Sequence, residues 1–202
     1  PDCILHVTRS EIDLPSTIDP HDDAVYRVAA ATYRRFRREG ILQEDTEPHF
    51  YFYRLTVGDR SQTGLVAAAA VDDYDNAVIL KHEKTRQVKE DDRTRHILET
   101  GAQTGPVFLA FRDHPRICQL TGQATARPPH VDFTTADRVR HQLWIAETEL
   151  TEPLRDVFSS LPVLYIADGH HRAASASRAR QERRADNPNH AGNEEYNRFL
   201  AV

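Results

Sequence analysis

The sequence predicts an α+β fold, a mixed sheet with flanking helices, and three observations carry that expectation. Residues 22–39 repeat apolar positions at helical spacing. Residues 49–57 and 65–71 are aromatic and apolar runs on either side of Gly58, Asp59, Arg60 and Ser61, the pattern of strand, turn and strand. A compact apolar run, 163–167, passes through Asp168 and Gly169 into a stretch rich in Ala and Arg, both strong helix formers.

Taken in order, Val25, Val28, Ala29, Thr32 and Phe36 form the apolar stripe of the first helix. Asp22 and Asp23 stand near its positive end, Arg34, Arg35, Arg37 and Arg38 near its negative end, and Gly40 stops it. Phe50, Tyr51, Phe52 and Tyr53 are ordinary strand formers. A base-stacking role for them would need a basic strip that this stretch lacks, so sheet packing is the expectation. Residues 78–81 predict a short strand and 89–100 a polar helix closed by Gly101. Residues 107–111 and 117–120 are each expected as strands, and Arg127, Pro128 and Pro129 mark a loop. Val139, His141, Leu143 and Ile145 alternate with Arg140, Gln142 and Trp144, which is strand periodicity. Leu150, Leu154, Val157 and Phe158 fall at helical spacing within 149–160, and Pro162 precedes the strand at 163–167. Residues 170–184 follow as helix and 185–195 as polar loop. The last residues, Tyr196, Phe199, Leu200, Ala201 and Val202, resemble a strand that has just begun. With Pro1 in place of an initiator Met, the chain reads as a piece of a longer protein.

Composition narrows the function classes. The 202 residues carry 26 Lys plus Arg against 31 Asp plus Glu, a net charge of -5, with mean hydropathy -0.63. At 39% hydrophobic residues the chain can bury a core in one large domain or two small ones, which excludes wholesale disorder. The longest apolar run, 65–71, is far short of the roughly 20 residues a bilayer-spanning helix needs, so no membrane partner is expected. Cys3 and Cys118 stand far apart without ligand spacing, which fits a reducing cytoplasm better than a disulfide framework. A nucleic-acid partner is not expected in an acidic chain without a helix-turn-helix, and Arg178, Arg180, Arg183 and Arg184 read as a solvated face.

The most informative stretch runs from Leu164 through Tyr165, Ile166, Ala167, Asp168, Gly169, His170, His171 and Arg172. A buried strand delivers the chain to a glycine turn and a helix starts at once. The unpaired N–H groups of that first turn suit phosphate oxygens, and Arg172 can add a bidentate guanidinium. Asp168, at the strand end, is placed to hold magnesium or to orient a histidine. Asp-Gly most often marks a hairpin turn, but helix formers follow it here instead of a second strand.

The second stretch is His82, Glu83, Lys84, Thr85 and Arg86, ahead of the charged run Glu90, Asp91, Asp92 and Arg93. His-Glu opens like a zinc-protease motif, but that motif needs a second histidine at position 86, where Arg86 stands. His170 and His171 are adjacent and diverge by about 100° on a helix, and no other histidine has ligand spacing to them along the chain.

A His-Glu element after a strand, followed by a helix and later by a strand ending in Asp-Gly-His-His-Arg, resembles the free serine kinases of the ParB/sulfiredoxin superfamily. The blocks at 80–86, 89–93, 105–109 and 165–172 resemble more closely a bacterial and archaeal domain-of-unknown-function family, often labelled ParB-related. The resemblance implies a ParB/sulfiredoxin-like core at 76–202 carrying an insertion at about 105–160. It leaves 1–75 as an N-terminal α+β portion with the helix and aromatic hairpin, the whole forming one compact unit. It also implies a nucleotide-dependent phosphotransferase acting on a small hydroxyl metabolite such as free serine. ATP or ADP with magnesium would be the cofactor. Asp168, Gly169, His170, His171 and Arg172 would hold the phosphates, with Asp168 on the metal. Glu83 would be the base, and His82 or His171 would position it or donate to a phosphate oxygen. The second hypothesis is a nucleotide- or phosphate-binding switch module in which occupancy changes conformation without an acceptor. A third is a site for a phosphate-bearing metabolite that hydrolyses nothing.

Overall fold

The computed structural model describes residues 2–202. A short helix α1 (Leu5–Thr8) and a 3-10 turn (Ser10–Asp13) precede α2 (Asp23–Arg38). Asp22 caps α2 by accepting the Ala24 N–H at 2.8 Å, while Arg35, Arg37 and Arg38 crowd its last turn. The expected hairpin follows as β1 (Tyr51–Val57) and β2 (Arg60–Ala70), paired from Tyr51↔Val66 to Val57↔Arg60. The second strand starts earlier than its apolar run because Gly58, at φ +55°, and Asp59 close a two-residue turn. Val71, expected at the strand end, instead opens α3 (Val71–Asp75).

Next come β3 (Ile79–Leu80), α4 (Gln87–Thr100), β4 (Phe108–Ala110) and α5 (Pro115–Ala124). The helix at α5 corrects the strand expected at 117–120. His114 caps it by accepting the Arg116 N–H at 3.3 Å, Pro115 opens its first turn, and Ile117, Leu120 and Ala124 bury one helical face. The four letters Ile117, Cys118, Gln119 and Leu120 are too few to separate the two periods, and the cap decides. The strand at 107–111 is shorter than expected and only Val107 is buried, with Phe108 and Phe111 at 38% and 36% exposure.

The remaining elements are β5 (Val131–Thr134), β6 (Arg140–Ile145), α6 (Thr148–Ser159), β7 (Leu164–Asp168), α7 (His170–Ala185), a 3-10 turn (Glu195–Asn197) and β8 (Arg198–Ala201). On β6 the buried face is Gln142 and Trp144, the set that alternates with the apolar letters. Strand β5 was not anticipated, being a short, exposed edge strand behind a proline loop.

The fold is α+β. A five-stranded antiparallel sheet has the order β5-β6-β1-β2-β8, and a mixed three-stranded sheet has the order β3-β7-β4. Strands from before residue 75 and after residue 76 therefore share one sheet. The sheets are stitched together where Val107 and Leu109 donate to Leu200 and Val202 at 2.8 Å each and Val202 donates back to Val107 at 2.9 Å.

Two cores result. Phe52, Leu120, Trp144 and Leu154 fill one, with Phe52 supplying the buried side of the aromatic run. Val71, Ile79, Val107, Ile166, Phe199 and, from α7, Ala173, Ala174 and Ala176 fill the other. The small residues Ala173, Ser175, Ala176, Ser177 and Ala179 let α7 press closely on α4 and the sheet. The arginines of α7 are less free than a solvated face implies. Arg178 pairs with Asp91 at 2.7 Å, Arg183 donates to the Leu98 carbonyl at 2.6 Å, and Arg180 pairs with Asp72 and with Asp75.

Candidate functional site

Strands β3 and β7 are parallel neighbours, in register at Ile79↔Leu164 and Leu80↔Tyr165. Parallel neighbours carry their carboxyl ends to the same edge of a sheet, where open α/β sheets place their ligands. The loop at 81–86 therefore meets the turn at 168–170, although the two lie more than eighty residues apart in sequence. Two contacts register them. The Arg86 N–H donates to His171 Nε2 at 3.0 Å, and the His82 N–H approaches His170 Nε2 at 3.5 Å. Both backbone groups are donors, so both ring nitrogens act as acceptors.

Glu83 Oε2 lies 3.6 Å from His170 Nδ1, and the His82 and His170 rings meet edge to face with centroids 4.5 Å apart. The His170 side chain is 5% exposed, against 61% for Glu83. Burial, and then the neighbouring His82, hold the His170 imidazole below its usual range against the opposing pull of Glu83 and Asp168. A cavity of about 570 Å³ opens here, lined by Tyr74, Lys81, His82, Glu83, Lys84, Thr85 and His170. Lys81 Nζ sits 4.3 Å from the Tyr74 ring centroid.

Gly169 adopts φ +97° at the start of α7 and has no side-chain cap, so the first-turn N–H groups are left for another partner. Arg172 folds back over this glycine and pairs with Asp168, whose side chain is 73% exposed. Arg172 Nε is buried without a hydrogen-bond partner among the described residues. Arg172 faces a second cavity, of about 340 Å³, which Tyr26, Asp92, Arg93, His96 and Gly105 also line. The structure thus brings His82, Glu83 and His170 together in one cavity and directs Arg172 into another. Asp168 is engaged with Arg172, and His171 holds the loop.

Sequence reasoning missed two groupings. The first is spatial: donor atoms of His82, Glu83 and His170 lie within 4.8 Å of one another, so a histidine does stand at ligand distance from His170. Spacing along the chain could not reveal this, although the two carboxyl-end loops of a parallel strand pair could. The second lies beside the Arg172 cavity, where Tyr26 donates to Asp92 at 2.7 Å and His21 Nδ1 is 3.2 Å from the same carboxylate. Burial and then Asp92 push the Tyr26 phenol above its usual range. In the sequence Asp92 is one letter in a charge run.

A family model described as a protein of unknown function (DUF1015) matches residues 1–202. The chain belongs to this family. No curated protein and no solved structure matches it. Membership in DUF1015 covers the whole chain, so both the loop at 81–86 and the turn at 168–172 fall within the family's own span. Among the described residues no helix is long and apolar enough to cross a membrane.

Proposed function

We propose that the chain is a nucleotide-dependent phosphotransferase acting on a small hydroxyl metabolite such as free serine, on a ParB/sulfiredoxin-like core. The observation that carries this reading is the approach of Glu83 to the first residue of α7, 3.6 Å from His170 Nδ1. A carboxylate beside a helix N-terminus combines a proton acceptor with a phosphate cradle. The N–H groups of the first turn receive phosphate oxygens. Glu83 accepts the proton of the acceptor hydroxyl as its oxygen attacks the terminal phosphorus, and the bond from that phosphorus to the departing nucleotide breaks. His82 and His170 flank the carboxylate, while His171 acts through the loop it holds.

ATP or ADP with magnesium fits the turn through Asp168, an exposed carboxylate that offers a hard oxygen ligand once released from Arg172. Magnesium supplies charge neutralisation on the phosphates when bound. The freed guanidinium is then available to a phosphate oxygen. Cys3 and Cys118 are free and exposed, which accords with a reducing cytoplasm.

The Arg172–Asp168 pair also favours a second reading, a nucleotide-sensing switch. A ligand that takes either partner breaks the pair, and Arg172 then leaves the second cavity without any acceptor being needed. One experiment separates the two. The protein is incubated with ATP, ADP or CTP, magnesium and a panel of hydroxyl metabolites, and phosphorylated product is followed by mass spectrometry. The enzyme reading expects product, lost by roughly 10²–10⁴-fold in Glu83→Gln with nucleotide binding retained. Binding without product selects the switch, and unchanged nucleotide affinity in Arg172→Ala and Gly169→Ala rejects the phosphate turn.

A further inference from the structure

We propose that His82, Glu83 and His170 form a site for one divalent transition-metal ion of the zinc or cobalt class. The inference goes beyond the phosphotransferase reading and does not rest on it, since no nucleotide takes part. Two imidazoles and one carboxylate are the donor set of open zinc sites, whereas magnesium prefers oxygen alone. The donor atoms already lie within 4.8 Å of one another. Donors bound at about 2.0–2.2 Å stand roughly 3.3–3.6 Å apart around a tetrahedral ion, so the widest pair need close by no more than about 1.5 Å, and Glu83 Oε2 already lies 3.6 Å from His170 Nδ1.

The site is built for that contraction. His170 is the fixed member, with its side chain 5% exposed at the start of α7. Its contacts, 3.5 Å to the His82 N–H and 3.6 Å to Glu83, are both long for hydrogen bonds, so a metal displaces little. His82 and Glu83 are exposed, and their side chains can rotate inward. The loop backbone stays in register through the 3.0 Å bond from the Arg86 N–H to His171. Lys81 lies over Tyr74, which engages its ammonium. Three protein ligands leave an open position, and the cavity of about 570 Å³ gives room there for water or an oxygen-bearing ligand. Occupancy would commit the Glu83 carboxylate to the metal, so zinc and a base role for Glu83 are mutually exclusive.

The test uses the full chain, stripped with chelator and free of nucleotide. Cobalt(II) is titrated in and its visible d–d bands recorded, and zinc uptake is measured by equilibrium dialysis with elemental analysis. The expected result is close to one equivalent, with low-coordinate cobalt bands that zinc abolishes and millimolar magnesium does not. His82→Ala and Glu83→Gln change exposed side chains and leave the thermal melt in place. Each is expected to weaken binding by more than the roughly 10–100-fold lost with an outer partner of a ligand. His170→Ala is read beside its own melt. Uptake that the His82→Ala/Glu83→Gln double variant matches, or no uptake at all, overturns the site. Absence of kinase product in the earlier experiment leaves this result untouched, and the two readings can therefore fail separately.

Discussion

Replacing Gly169 by alanine tests the turn on which the site is built. At φ +97° and ψ 27° an L side chain is strained, at a cost of roughly 1–2 kcal/mol. The added methyl carbon would also stand 2.8 Å from Arg172 Nε, 2.9 Å from Nη2 and 3.1 Å from Cζ, so the guanidinium must move. Moving it breaks the pair with Asp168, which adds no more than about 1 kcal/mol because that carboxylate is largely exposed. The expected loss is about 1–3 kcal/mol in urea unfolding followed by circular dichroism. Arg172→Ala in the same background removes the clash, so the double variant should recover about 1 kcal/mol relative to additivity. A Gly169→Ala protein within about 0.5 kcal/mol of the parent would refute the left-handed turn and the placement of Arg172 above it.

Further outcomes follow from other parts of the structure. Phe199→Ala, at 1% exposure in the core beneath α7, should cost about 3–5 kcal/mol by chemical denaturation, against about 0.5 or less for Val131→Ala on the exposed edge strand β5. His171→Ala removes the acceptor of the Arg86 N–H, and hydrogen exchange at that amide should speed up about fivefold, the equivalent of ~1 kcal/mol. Glu194 accepts the N–H of Ala191 and that of Gly192, which hold its carboxyl down at about 2 against an ordinary 4.5. Its contribution is complete above the ordinary value and disappears as pH falls toward 2, so Glu194→Gln should flatten the acid limb of the thermal-stability profile in that window. Asp75→Ala leaves Arg180, whose side chain is 11% exposed, without one of its two carboxylates and Ser177 without its acceptor, at a cost of about 2 kcal/mol in the same unfolding assay.

Much of the fold was legible because periodicity and punctuation agreed. Helix α2 carries an acidic start, a basic end and Gly40, and the β1–β2 hairpin follows directly from Gly58 and Asp59. Where the letters were few, one capping residue outweighed them: Ile117 and Leu120 belong to a helix because His114 and Pro115 start one. The arginines of α7 illustrate a different limit, since Asp72, Asp75 and Asp91, which receive them, lie on α3 and α4 and no local pattern pairs them. In the site, the strand-turn-helix at 164–172 could be read directly, as could the interest of Glu83. The pairing of His82 with His170 depends on β3 and β7 being parallel neighbours, which is a property of topology. The direction of Arg172 was out of reach for a similar reason, because it runs where a β-carbon on Gly105 or Gly169 would crowd it, and the approach to Gly105 is a property of the fold.

The convergence of the 81–86 loop on the start of α7 as one ligand site is tested most directly by heteronuclear NMR during titration with ATP or ADP and magnesium. The account predicts saturable shifts concentrated at the His82 and His170 ring signals and at the amides of Glu83, Gly169, His170, His171 and Arg172. Saturable shifts confined to a different face of the molecule, with these signals unmoved, would contradict it.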